Sequence, residues 1–259
     1  MNFIKTLAPV FFKELLPHLP LRSFQIVKID ELLPEMLWLV KQSYKKSNLS
    51  MPLMDGYFFK NGTAIIPLKN ATQKNSTVKD NAAKSNAHLR HAKKIGEQVL
   101  GHYFYEIFHM QEWSLDLSVD RFSLDSDGLL YCDLKGIKRS FNSDFIQSIR
   151  SLYIGFYENN EVEFQKGLQV FNIKNNHAEA KQVLLKHFAE AKDEDILFSI
   201  THLKQSFENI FKVLIESNAK VGSDFAFFGI RLITLYLTLE SLNIPLNVSA
   251  AYQSARNKL

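Results

Sequence analysis

Between Trp113 and Arg139 the chain reads WSLDLSVDRFSLDSDGLLYCDLKGIKR and holds five aspartates among two short apolar runs. Asp116 and Asp133 stand on either side of a turn expected at Asp127-Gly128, a dipeptide that favours tight reversal. Two carboxylates brought together by a hairpin can hold a metal nucleotide, or they can be solvated turn residues ion-paired to Arg121 and Lys135. A second group lies just upstream. His102, Glu106 and His109 share a helix face at i, i+4 and i+7, and Glu106-x-x-His109 has the spacing of bundle di-iron ligands. Such a site needs a second Glu-x-x-His, and the chain has none, which leaves a polar stripe on a half-buried helix.

The elements that must position these residues follow from periodicity. From Lys93, apolar residues at Ile95, Val99, Tyr103, Ile107 and Met110 recur every three or four positions and predict a helix that runs into the Asp116 segment. Arg121 to Leu124 and Leu129 to Cys132 are short enough for two strands. After them Asn142 or Ser143 is placed to cap a helix whose one side carries Phe145, Ile149, Leu152, Tyr153 and Phe156. Helical patterns continue at 161–171, 177–191, 195–216 and 223–242. Upstream, residues 1 to 50 read as two helical pieces, the second being ELLPEMLWLVKQSYKK with Pro34 in its first turn. Tyr57-Phe58-Phe59, Asn61-Gly62 and Ala64-Ile65-Ile66 predict a β-hairpin. Residues 70 to 92 are polar and poor in large apolar side chains, and read as a linker. The expected division is a helical and hairpin region at 1–69, a linker at 70–92 and a helical domain at 93–259.

Composition bounds the function. The chain has 259 residues, 46% of them hydrophobic, and a formal charge of only +4, so no nucleic-acid partner is expected. The small positive surplus suits peripheral contact with an anionic membrane face. A single cysteine, Cys132, excludes a disulfide framework and a Cys-based zinc site within one chain, and a cytoplasmic setting fits. Lys5, Lys13 and Glu14 interrupt the N-terminal apolar residues, which read as mature sequence and not as a leader. The run from Phe225 to Leu239 is broken by Arg231 and reads as a buried helix, shorter than the roughly 20 apolar residues of a membrane span.

The order of long helix, loop, hairpin with a terminal Asp and helical bundle resembles a protein-kinase C-lobe, and within it the UbiB-type (AarF/ADCK) atypical kinases. EQVLGHYFYEIF resembles that family's lead helix, LDLSVDRFSLDSDG its HADPHPGN loop and turn, and LLYCDLKGIKR its LLDFG-type metal segment; the likeness covers about residues 93 to 250. The resemblance implies Asp116 as the catalytic-loop Asp, Asp133 as the Mg²⁺-binding Asp, and Arg121 where the family has a metal-binding Asn. Lys135 stands in place of the glycine after it. Lys28 in FQIVKID is the one passable nucleotide-contacting lysine, with Glu31 or Glu35 as its partner on the next helix.

No Gly-rich loop precedes Asp116, so the N-terminal lobe is expected to be reduced or rebuilt. A guanidinium cannot coordinate Mg²⁺ as an Asn carbonyl does, so Arg121 and Lys135 would neutralise the aspartates or contact phosphate directly. The expected fold is mainly α with a small β component, a kinase-like C-lobe bundle. The implied function is a divergent kinase, ATPase or pseudokinase, weak or inactive, with ATP and Mg²⁺ weakly bound or lost. By resemblance its setting is isoprenoid-quinone (ubiquinone) biosynthesis or membrane-lipid homeostasis, cytoplasmic or peripheral to the inner membrane. Two other readings stand beside it: a non-enzymatic module that docks a protein or lipid partner, and a lipopolysaccharide-sugar kinase-like protein, whose D-L-x-x-x-N loop and I-D-F or I-D-L segment are similar.

Overall fold

The computed structural model describes residues 34–35, 37–39, 41, 50–52, 66–67, 82–124, 130–133, 138–171, 177–189, 194–219 and 221–257. These form a mainly helical fold with a small β component, as the sequence predicts. The helices are α1 (Ala82–His109), α2 (Ser143–Tyr157), α3 (Glu161–Gly167), α4 (His177–Ala189), α5 (Ile200–Glu216), α6 (Ser223–Leu242) and α7 (Val248–Arg256). The strands are β1 (Ser50–Pro52), β2 (Ile66–Pro67), β3 (Glu112–Ser114), β4 (Phe122–Leu124), β5 (Leu130–Asp133), β6 (Lys138–Ser140), β7 (Ile196–Leu197) and β8 (Pro245–Leu246).

Helix α1 begins at Ala82, eleven positions before the periodic apolar face at Lys93, so residues 82–92 are helical where a linker was expected. The reason is local: Ala82, Ala83, Lys84, Ala87, Leu89 and Arg90 are good helix formers, and one long helix can extend past the stretch whose apolar face is packed. From residue 92 on, the apolar face is as expected. Ile95, Val99, Tyr103 and Ile107 are all buried, joined by Leu100 and Phe104.

Helix α2 is capped by the Asn142 side chain, which accepts from the Asp144 N–H at 2.8 Å, and it ends beside Asn159 in the left-handed region. Helix α3 then doubles back on it at unusually short range. A Cβ on Gly155 would lie 2.3 Å from the Phe164 backbone nitrogen, and one on Gly167 would lie 2.5 Å from that of Leu152. The missing side chains at these two positions set the approach of the two helices. Phe104, Tyr153, Tyr157 and Tyr252 join α1, α2 and α7 through edge-on and stacked ring contacts at centroid distances of 4.4–6.3 Å.

Helix α6 runs through the core. It spans the 20 residues the sequence predicts, and with a mean hydropathy of 1.5 over 18 of them it is long and apolar enough to cross a membrane by length and composition. Most of it is nevertheless buried by protein. Leu39, from the helical residues near position 35, is also fully buried in this core.

Strands β4 and β5 form the predicted antiparallel hairpin, with Phe122 opposite Cys132 and Leu124 opposite Leu130. They are the middle of a four-stranded antiparallel sheet ordered β1-β5-β4-β2, so Ile66 pairs with Leu124 of β4. The rest of the hairpin expected near Tyr57–Ile65, and the tip at Asp127-Gly128, lie outside the described residues. Two small pairs complete the β structure: β3 with β6, where Trp113 faces Arg139, and the two-residue β7 with β8.

Candidate loop site and the buried ion pair behind it

The loop from Leu115 to Arg121 connects β3 to β4 and carries Asp116. Leu115 and Leu117 are fully buried and anchor it on both sides, and Asp116 itself is only 4% exposed. Its carboxylate is committed to two local donors. Oδ1 accepts the Ser118 N–H at 3.0 Å, and Oδ2 accepts from Arg121 Nε in a very close ion pair. The 3₁₀ turn Val119–Arg121, closed by Arg121 N–H to Ser118 O at 2.9 Å, brings that guanidinium back toward Asp116.

Asp133 ends β5. It lies opposite Ser50 of β1 and one step beyond the Phe122–Cys132 pair, so its backbone runs alongside that of Arg121. Asp116, Arg121 and Asp133 are therefore gathered at one end of the hairpin. Lys28 and Lys135 lie outside the described residues. Glu35, one of the two partners read for Lys28 beside Glu31, is held by Arg139, whose two terminal nitrogens lie 2.5 and 3.0 Å from its oxygens. β6 presents Arg139 to α6 as well as to Glu35: it donates to Asp224 at 2.9 Å and lies 4.2 Å from the Phe227 ring centre. Asp224 in turn accepts the Asn142 N–H. Burial works against the charge on Arg139, but the hydrogen bonds to Glu35 and Asp224 outweigh it and raise its pKa.

Behind the loop is a second, more deeply buried pair that sequence reasoning missed. Arg231 of α6 is fully buried, and its Nη1 donates to Glu106 Oε2 at 2.6 Å and to the Ser114 carbonyl at 2.5 Å, while Nη2 donates to the Tyr103 carbonyl at 3.1 Å. Glu106 also accepts from the Ser114 N–H at 3.0 Å and from the Ser114 hydroxyl at 2.7 Å. Burial pushes the Glu106 carboxyl upward, but the surrounding charges and donors from His102, Arg231 and Ser114 together hold it down at about 2. Burial dominates at His102 and lowers its pKa, which favours the neutral ring beside an ionised Glu106.

Two threonines extend the brace one turn at a time along α6. Thr234 Oγ1 accepts the Leu117 N–H at 3.0 Å, and the Thr238 hydroxyl donates to the Leu117 carbonyl at 2.6 Å. Arg231, Thr234 and Thr238 are spaced three and four apart, which puts them on one helix face. That polar line within an apolar run was the available signal.

The di-iron spacing serves packing. Glu106 turns to Arg231, and His109 Nε2 lies 2.8 Å from the Ala255 carbonyl of α7. Among the described residues no group of three or more His, Cys, Asp or Glu side chains is placed to hold a metal ion. Both Asp116 oxygens are engaged by N–H donors, and the guanidinium at its side has no lone pair to offer. Asp116 is thus engaged by donors from its own loop, and the side chain of Asp133, the residue that the resemblance implies for Mg²⁺, lies outside the described side chains. No protein-family model and no curated protein matches the chain. What fold and site define is a helical domain with an inserted hairpin, whose connecting loop is clamped to a core helix and closed by an ion pair.

Proposed function

We propose that the chain is a kinase-like helical module that acts by binding and not by phosphoryl turnover, a divergent relative of the UbiB-type kinases. The observation that carries this reading is the state of Asp116, buried and paired with Arg121 on a loop fixed from behind by Arg231, Thr234 and Thr238. Support for the kinase-like part is the layout: a long helix, a short strand, a braced Asp loop, then a hairpin whose second strand ends in Asp133 beside Arg121. Phosphoryl transfer needs a metal to bridge the phosphates, and a guanidinium at the place of a metal ligand neutralises the carboxylate instead. The implied setting is an accessory role in isoprenoid-quinone or membrane-lipid chemistry.

Calorimetric titration with Mg-ATP tests it. The wild type is expected to bind weakly or not at all, and Arg121→Asn, which restores a neutral oxygen ligand and removes the competing cation, is expected to strengthen Mg²⁺-dependent binding. Tight Mg²⁺-dependent binding by the wild type would overturn the reading.

A further inference from the structure

A separate cavity of about 180 Å³ lies among α1, α2, α4, α5 and α6, partly open to solvent and away from the Asp116 loop in its lining. Its walls are aromatic and aliphatic side chains, and none of the described residues lining it is Asp, Glu, Lys or Arg. A nucleotide, a sugar phosphate or a fatty-acid carboxylate would lose its hydration there without a counter-charge. The volume is slightly above that of engineered apolar cavities of roughly 150 Å³ that take up benzene, so one ring and a short chain would fill it.

The polar groups on its wall narrow the class further. The Tyr103 and Tyr153 hydroxyls bond to each other at 2.6 Å, the Ser199 hydroxyl caps α5, and Ser206 lies 3.5 Å from the His202 ring nitrogen. Tyr157 also lines the cavity and is only 7% exposed, and its hydroxyl has no hydrogen-bond partner among the described residues. Burial raises its pKa, so the phenol stays neutral and keeps a proton to donate. The hydroxyl is not among the fully buried polar atoms that lack a partner, so it stays accessible at the cavity wall, where an acceptor oxygen on a bound molecule can accept its hydrogen bond.

We infer that this cavity, lined by Tyr157 of α2 and Gly229 of α6, is a binding site for a small neutral molecule of one ring and a short apolar chain bearing a single hydroxyl or carbonyl oxygen. Gly229 offers a clean way to close it. A Cβ there would meet only the Phe207 ring edge at 3.9 Å, an ordinary contact, so a larger side chain can enter the void without touching the backbone.

The test is calorimetric titration of the full chain with 4-propylphenol, propylbenzene and 4-propylbenzoate. The phenol is expected to bind most tightly, propylbenzene about tenfold more weakly for want of one buried hydrogen bond, and the benzoate not measurably. Tyr157→Phe keeps the ring stacked on Tyr252 and removes only the hydroxyl. It should weaken the phenol about tenfold and leave propylbenzene unchanged. Gly229→Leu should raise Tm and abolish binding of both neutral probes; Gly229→Ala, the smaller step, should stay folded and bind more weakly. Absence of phenol binding to the wild type, equal phenol binding by Tyr157→Phe, binding undiminished in folded Gly229→Leu and Gly229→Ala, or benzoate binding as tight as the phenol would each overturn the assignment. None of these outcomes depends on Mg-ATP, so the phosphoryl-site reading stands or falls separately.

Discussion

Replacing Arg231 with Met keeps much of the side-chain volume of a fully buried residue and removes its charge and donors. Three acceptors lose their partner together: Glu106 at 2.6 Å, the Ser114 carbonyl at 2.5 Å and the Tyr103 carbonyl at 3.1 Å. Removing one member of a buried ion pair typically costs about 3–5 kcal/mol, because the other charge is left in low dielectric. The direction of the Glu106 shift agrees, since its carboxyl is held below the ordinary carboxylate value.

The direction with pH follows. Glu106 has a folded pKa below its unfolded one, so its contribution is complete above about 4.5 and is lost as pH falls from there toward 2. In Arg231→Met, burial without the guanidinium raises the Glu106 pKa above the unfolded value, so the variant gains relative stability as pH falls and loses it as pH rises. Urea unfolding of both proteins between pH 3 and pH 7 should show a difference of about 3–5 kcal/mol at neutral pH that shrinks in acid. Adding Glu106→Gln to Arg231→Met should recover part of the loss, since the stranded charge is gone. Other carboxylates, Glu35 among them, titrate in both proteins and cancel in the comparison. A loss below about 1 kcal/mol at pH 7, or an unchanged gap between the two proteins across the pH range, would refute the argument.

Gly155→Ala should destabilise by about 1–3 kcal/mol or more, because its Cβ would meet the Phe164 backbone at 2.3 Å and neither helix can move aside cheaply; a fall in Tm measured by circular dichroism checks it, and an unchanged Tm would contradict the close crossing. Thr238→Val keeps the shape and deletes the donor to the Leu117 carbonyl, at a cost of about 1–3 kcal/mol, and amide hydrogen exchange should quicken in the Asp116 loop before it does in α2.

How much was legible in the sequence can be argued element by element. The apolar face of α1, the Asn142 cap and the β4–β5 pairing were readable because each depends on local chemistry: a 3.6-residue period, a side-chain oxygen two residues ahead of a helical N–H, and two β-prone runs around a turn. Proximity of Asp116 to Arg121 was also within reach, since five residues separate them. The partners of Arg139 were not. Glu35 and Asp224 lie 104 and 85 residues away, and nothing in either neighbourhood marks a guanidinium as the shared partner. Arg231 was taken as an interruption of an apolar run, although Thr234 and Thr238 on the same face signalled a polar line facing backbone. The start of α1 at Ala82 was missed because an apolar period was demanded where helix propensity sufficed.

Glu106 and Asp116 stand ten positions apart and are both nearly inaccessible, yet they are held by opposite means. Glu106 meets a guanidinium from a distant helix, together with the N–H and hydroxyl of Ser114, so the pair ties α1, β3 and α6 into one unit and cannot open without exposing the core. Asp116 meets donors from within its own loop, two and five residues away, so its ion pair can be exchanged for another ligand at the cost of a local turn. A frame built for rigidity thus carries a second buried carboxylate whose present partner comes from its own loop. Under the proposed binding-module reading, Arg121→Asn, which alters the loop and leaves Arg231, Thr234 and Thr238 in place, is therefore the change that should release the Asp116 carboxylate for another ligand.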